Sequence, residues 1–294
     1  MSLTGKLRFA YGTAKAVDGA KTTGVGVTDG DWNIAAVEDL GGGLKAGANM
    51  ALRLRGRDAA TDGTSTGVGA RPRDSSMYLT GGFGTVTVGA IEAGNGILGL
   101  VTAGGPTYIG LDNGVQLAGA SNVDILQYTS PAMNGFSFKA ATLDAVGGGG
   151  SQNGGALTVY GANYANGPVS AALDVTKYGS SFAATANSRT RISANYNLGV
   201  AIVGAGYQNA DNGAAAAKKE TAISVSAPFG AFNVGAVYAT SKTDGTPGNN
   251  TGYDLSAQYN LSKRTYVALQ AQSTKAAGAT ASATNTRVQL AHSF

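Results

Sequence analysis

Several stretches of this chain alternate residue by residue, and within them the cations keep to the side opposite the large apolar residues. In residues 3–11, Leu3, Leu7, Phe9 and Tyr11 oppose Thr4, Lys6, Arg8 and Ala10. In 44–55, Leu44, Ala46, Ala48, Met50, Leu52 and Leu54 oppose Lys45, Asn49, Arg53 and Arg55. Phe136 and Phe138 oppose Ser137 and Lys139, and Ile192 and Tyr196 oppose Arg189 and Arg191. The last eight residues repeat the pattern, with Val288, Leu290, His292 and Phe294 against Arg287, Gln289, Ala291 and Ser293. A period of two is the strand period, and no matching 3.6-residue period runs through the chain. Segments of about 9–11 such residues suit tilted strands that cross a bilayer.

Composition decides which way the faces point. Of 294 residues, 43% are apolar and only 13% charged, and 46 are Gly. A soluble sandwich would have to fill its core from faces rich in Ala, Thr and Gly. A barrel in lipid needs only to cover its outside with them. Lys or Arg on the lipid side would cost about 2–4 kcal/mol each at the bilayer midplane. Lys6, Arg8, Lys45, Arg53, Arg55, Lys139, Arg189, Arg191 and Arg287 are therefore expected to line a water-filled lumen. Closure also removes sheet edges, whose unpaired backbone groups lipid could not satisfy.

The connections alternate too. Short Gly/Asn/Pro turns occur at 39–43, 81–84, 130–135, 165–168, 197–199, 227–230 and 260–264, with longer polar segments such as 144–155 and 241–250 between them. Seven short turns and eight long loops join 16 strands, and an even number brings both termini to one rim. Tyr128, Tyr164, Tyr196 and Tyr259 each follow an amide side chain and precede a turn, with Phe229 at the intervening place. Apolar rings with polar tips at alternate strand ends match an interfacial girdle. Phe294 is expected to join it, on a last strand paired with the first.

The same residues exclude much else. Cys is absent and there is one His, so Cys-ligated metals, disulfides and most His-based metal sites are excluded. A formal charge of +4 is too small and dispersed for a nucleic-acid surface. No stretch is long and apolar enough for a spanning helix. The first residues lack a long apolar segment, which leaves either a protein that is not exported or a mature form behind an added Met. GNGILG (94–99) fits a dinucleotide fingerprint only if a helix follows within a βαβ unit, and neither is indicated. No paired carboxylates have catalytic spacing; we expect no catalytic residues, no cofactor and no enzyme activity.

The stretches EDLGGGLKAG (38–47), GGFGTVTVG (81–89), QYTSPAMNGFSF (127–138) and VQLAHSF (288–294), in that order, resemble the general porins of Gram-negative outer membranes, in the β-proteobacterial branch. The resemblance covers nearly the whole chain. It implies an all-β, 16-stranded antiparallel transmembrane barrel, residues 1–294 as one domain, in the bacterial outer membrane. It implies a homotrimer in contact with outer-membrane lipid and lipopolysaccharide, passing small hydrophilic solutes and ions. It also implies a third loop, about 91–121, folded inward to narrow the pore. Glu92 and Asp112 are the charges of that loop and would form the acidic side of the constriction. Where many relatives carry arginines after the GTV of GGFGTV, this chain has Thr87 and Ala90, which would weaken the constriction's field.

The candidate pore-lining residues are Arg8, Arg53, Arg55, Lys139, Arg189, Arg191, Glu92 and Asp112. With nine candidate lumen cations against two candidate lumen acids, Asp174 and Asp254, weak anion selectivity is expected. The alternatives are a substrate-specific outer-membrane channel and a soluble Gly/Asn/Thr-rich β adhesin.

Overall fold

In the computed structural model the described residues are 1–54, 71–94, 120–144, 156–180 and 187–294. They form sixteen strands in chain order: β1 (Ser2–Lys15), β2 (Lys21–Gly41), β3 (Leu44–Arg53), β4 (Arg71–Gly81), β5 (Gly84–Gly94), β6 (Ala120–Thr129), β7 (Phe136–Asp144) and β8 (Ala156–Asn166). The second half comprises β9 (Val169–Tyr178), β10 (Ser188–Asn197), β11 (Ile202–Asp211), β12 (Lys218–Phe229), β13 (Phe232–Thr243), β14 (Asn250–Asn260), β15 (Thr265–Lys275) and β16 (Ala283–Ser293). Each pairs antiparallel with its sequence neighbours, and β1 pairs with β16, closing the barrel.

The burial pattern is that of a membrane barrel rather than a soluble one. Leu, Ile, Val, Phe and Tyr side chains project outward and are exposed. The buried set is polar: Arg8, Asp31, Asp174, Arg191, Gln208 and Glu220 lie on the inner face with small Ala and Ser residues. The outer wall is apolar because its solvent is hydrocarbon. The inner face holds the charges that hydrocarbon would reject.

The short turns share one rim with both termini. There Tyr128 donates its hydroxyl to the Phe83 carbonyl at 2.7 Å. Tyr164 lies against Phe136 and Tyr259 against Phe232, each with ring centroids 4.6 Å apart. At the closing strand pair, Phe294 and Gly5 exchange two backbone hydrogen bonds, of 2.9 and 3.0 Å.

Three expectations about strand bounds change. β2 has 21 residues, about twice the expected length, and continues through a bulge opposite Arg8 and Phe9. β5 runs to Gly94 and β6 starts at Ala120, so the third long connection is shorter than 91–121 and Glu92 sits in the backbone of β5, opposite Asn122. Likewise β13 extends to Thr243 and β14 begins at Asn250, trimming the connection drawn at 241–250.

Candidate functional site

The inner wall carries three groups of charged and amide side chains. The first spans β1 to β4. Lys6 and Arg8 point inward because Leu7 and Phe9 point out. Arg8 pairs with Asp29 and Phe9 with Val27, so Thr28 has no partner and forms a bulge. One extra residue shifts the phase of a strand. Before the bulge Val25 faces out; after it Trp32 and Ile34 do. The shift turns Asp29 and Asp31 inward. Lys6 Nζ lies 2.6 Å from Asp29 Oδ2, and Arg8 Nη2 lies 3.3 Å from the same oxygen.

Asp31 is held from its other side. Arg53 Nε lies 3.5 Å from Asp31 Oδ1, and Arg73 Nη1 bridges to Asp31 Oδ2. Arg73 reaches inward through a second irregularity: Met50 pairs with Ser75 and Leu52 with Pro72, leaving Arg73 and Asp74 opposite Ala51.

The second group is a belt across β7–β13. The register places Lys139, Gly161, Asp174, Arg191, Gln208, Glu220 and Ser241 side by side on successive strands. Lys139 Nζ lies 2.7 Å from Asp174 Oδ2. Its stem crosses Gly161, where any Cβ would collide with it. Glu220 accepts from Gln208 Nε2 and from Lys218 Nζ, the latter at 3.0 Å. Arg189 sits 5.8 Å over the ring of Tyr178, within cation–π range. The third group closes the ring: Gln270 donates to Asp254 at 2.6 Å and accepts from Arg287 at 2.7 Å.

Around Asp31, Asp174 and Glu220 burial separates the two signs of charge, whereas Arg8 is more buried than Asp29. The side chains of Asp31, Asp174 and Glu220 are 9%, 4% and 0% exposed, whereas their partners Arg53, Arg73, Lys139 and Lys218 are 18–31% exposed. In these bridges the carboxylate lies at the base of the wall and the cation over it.

Of the residues expected to line the pore, Arg8, Arg53, Lys139, Arg189 and Arg191 take inner-face positions. Arg55 and Asp112 lie outside the described residues, as does the side chain of Glu92. Expecting only Asp174 and Asp254 as inner acids undercounted them, since Asp29, Asp31 and Glu220 are also there. Asp29 and Asp31 escaped because the bulge splits the alternation of β2 into two short pieces of opposite phase. The residual signal was the spacing in DGDWNI (29–34), Asp–x–Asp followed by Trp–x–Ile on the other parity. Glu220 and its partner Lys218 sit at one strand end, where alternation has few residues to register.

A family model described as Gram-negative porin matches residues 1–279. This chain belongs to the Gram-negative porin family. The barrel is accordingly a channel across the outer membrane. Solved structures agree on the fold. A substituted porin of Rh. blastica is 19% identical, with TM-score 0.73, covering 100% of this chain and 99% of that one. A Vibrio cholerae outer-membrane protein, OmpT lacking loop L8, is 14% identical with TM-score 0.71, covering 100% and 98%. Comparison with curated protein sequences found no match.

Proposed function

We propose that this porin is a passive diffusion channel for small hydrophilic solutes and ions with a weak preference for anions. The observation that carries the preference is the layering of the inner wall. Asp31, Asp174 and Glu220, seated beneath their cations, are screened from pore water, while Arg53, Arg73, Lys139 and Lys218 meet it; Arg8, Arg189 and Arg191 are buried in the wall. A passing ion then experiences net positive potential although most charges are paired. The additional acids Asp29, Asp31 and Glu220 make the preference modest rather than strong.

Arg8, Arg53, Lys139, Arg189 and Arg191 are the cations assigned to the pore wall. Arg55, assigned to the lumen by its alternation, and Glu92 and Asp112, which the resemblance implies as the acidic side of a constriction, complete the set. The porin architecture supports a homotrimer seated in outer-membrane lipid and lipopolysaccharide. It also supports a channel without enzyme activity: the single His, His292, lies on the outer face near the rim, where its Nδ1 shares a 2.8 Å hydrogen bond with Thr265 Oγ1.

Reconstitution in a planar bilayer under a KCl gradient tests the reading. Stepwise conductance is expected, with a reversal potential displaced toward that of chloride. Absence of steps removes the channel, and displacement toward potassium removes the anion preference.

A further inference from the structure

The inner face of β1, β2, β15 and β16 toward the long-loop end differs from the rest of the wall. The register sets Thr22, Ala14, Asn285 and Gln272 side by side on β2, β1, β16 and β15. Thr274 and Ala283 pair immediately beyond them. On the other side the row continues as Gly24, Gly12 and Arg287. Thr22, Ala14, Asn285, Gln272 and Thr274 line a recess of about 310 Å³, with Lys15, Ala16 and Ala20 also at its border. That volume lies at the small end of the range for small-molecule pockets, about 300–1,000 Å³.

The floor of the recess is Ala14, and the wall beside it has almost no side chains. Ala10, Gly12, Ala14, Gly24 and Gly26 all take inner-face positions on the β1–β2 hairpin. A Cβ built on Gly24 or Gly26 would meet nothing within 4 Å. Glycine inside a strand weakens it and often marks a close approach by a ligand or another backbone. Around the recess stand two amides and two hydroxyls. Together they offer donors and acceptors in both senses. Lys15 also borders the recess but takes the outward parity of β1, with Tyr11 and Thr13; farther along the wall Gln270 lies between Asp254 and Arg287 and bonds both.

We propose that this recess is a binding subsite for neutral polyhydroxyl solutes of monosaccharide to disaccharide size, with Asn285, Gln272, Thr274 and Thr22 as its hydrogen-bonding groups. An ion gains little there, since the side chains that take inner-face positions around it are amides, hydroxyls and alanine methyls. A neutral polyol exchanges hydroxyl–water bonds for bonds to fixed amides, with the small side chain of Ala14 admitting its ring close to the wall. The channel would therefore hold two kinds of solute at different places: anions along the β7–β13 belt and neutral sugars at the long-loop mouth.

The test rests on the channel reading and separates from it. Single-channel current is recorded in KCl with glucose or maltose added to one side. Conductance without sugar reports the channel alone. With sugar, concentration-dependent flickering of the current is expected, stronger from the long-loop side. Gln272→Ala combined with Asn285→Ala should weaken the sugar affinity by about tenfold and leave the reversal potential in KCl unchanged. Ala14→Leu, which fills the floor and keeps both amides, should abolish the flicker. Sugar-independent current in the native channel, or equal flicker in all three proteins, overturns the subsite while leaving the porin intact.

Discussion

Phe294 lies with its ring over Gly5, and a Cβ built on Gly5 would fall inside that ring. The ring also meets Trp32 edge-on, at 5.2 Å between centroids and 73° between planes. The three residues occupy one outward row across β16, β1 and β2, so the strand pair that closes the barrel is covered by an aromatic spread over a glycine. Aromatic cover of a glycine on a neighbouring strand is a known means of fixing register. It predicts that Gly5→Leu expels the ring. The edge-to-face contact is worth about 0.5–1.5 kcal/mol, and the temperature at which the barrel unfolds in detergent should fall accordingly. Trp32 is the one Trp in the sequence, so its emission reports the change directly. Unchanged emission and melting would refute the coupling.

Thr28 is the residue that turns Asp29 and Asp31 into the lumen. Deleting it restores unbroken alternation to β2 and forces a choice. Either the two carboxylates face lipid, or Val25 and the residues before it face water. The first separates Asp29 and Asp31 from Lys6, Arg8, Arg53 and Arg73; the second keeps those pairs but turns Val25 and Val27 away from lipid. The deletion should reduce the yield of heat-modifiable barrel on a gel severalfold, whereas Thr28→Ala, which keeps the residue count, should not. Equal yields from both variants would show that the bulge does not set the phase.

Asp31 and its two arginines should move selectivity in opposite directions. Asp31→Asn removes the negative charge beneath Arg53 and Arg73, and should shift the reversal potential further toward chloride. Arg53→Glu with Arg73→Glu should shift it toward potassium. Shifts of the same sign would place this cluster away from the ion path.

Lys139 reaches Asp174 only by crossing Gly161. Gly161→Val obstructs that route and leaves a carboxylate that is 4% exposed without its ammonium partner. A buried polar group that loses its partner costs about 1–3 kcal/mol, more when charged. The variant barrel should unfold at lower temperature, and Asp174→Asn in the same background should restore part of the loss. No rescue would mean that the bridge is not what Gly161 protects.

The anion preference itself should be screened by salt. The Debye length falls from about 10 Å at 0.1 M to about 3 Å at 1 M. The ratio of anion to cation permeability should therefore approach the mobility ratio of the two ions in concentrated KCl. A ratio independent of salt would point to steric rather than electrostatic selection.

Much of this was legible in the sequence because membrane strands obey one rule along their whole length. Wherever alternation ran unbroken, as at Arg8, Lys139, Arg189 and Arg191, the inward residues followed from parity and from the cost of burying a cation in lipid. The girdle tyrosines followed from their place before the short turns. Asp29, Asp31 and Arg73 did not follow, because each sits beside an irregularity that changes parity. Glu92 was assigned to a loop for a related reason: a strand that leaves the membrane band loses the apolar residues that mark it.

The sequence by itself determined the strand count, the closure of the barrel and which face meets lipid, since these depend on local alternation and on a solvent that penalises every exception. Only the tertiary structure decided which charges touch. Neighbours across strands, such as Asp31 with Arg53 and Arg73, or Gln270 between Asp254 and Arg287, are set by register and bulges. Register is fixed by pairing between segments remote in the chain, and a shift of one residue moves every side chain to the other face.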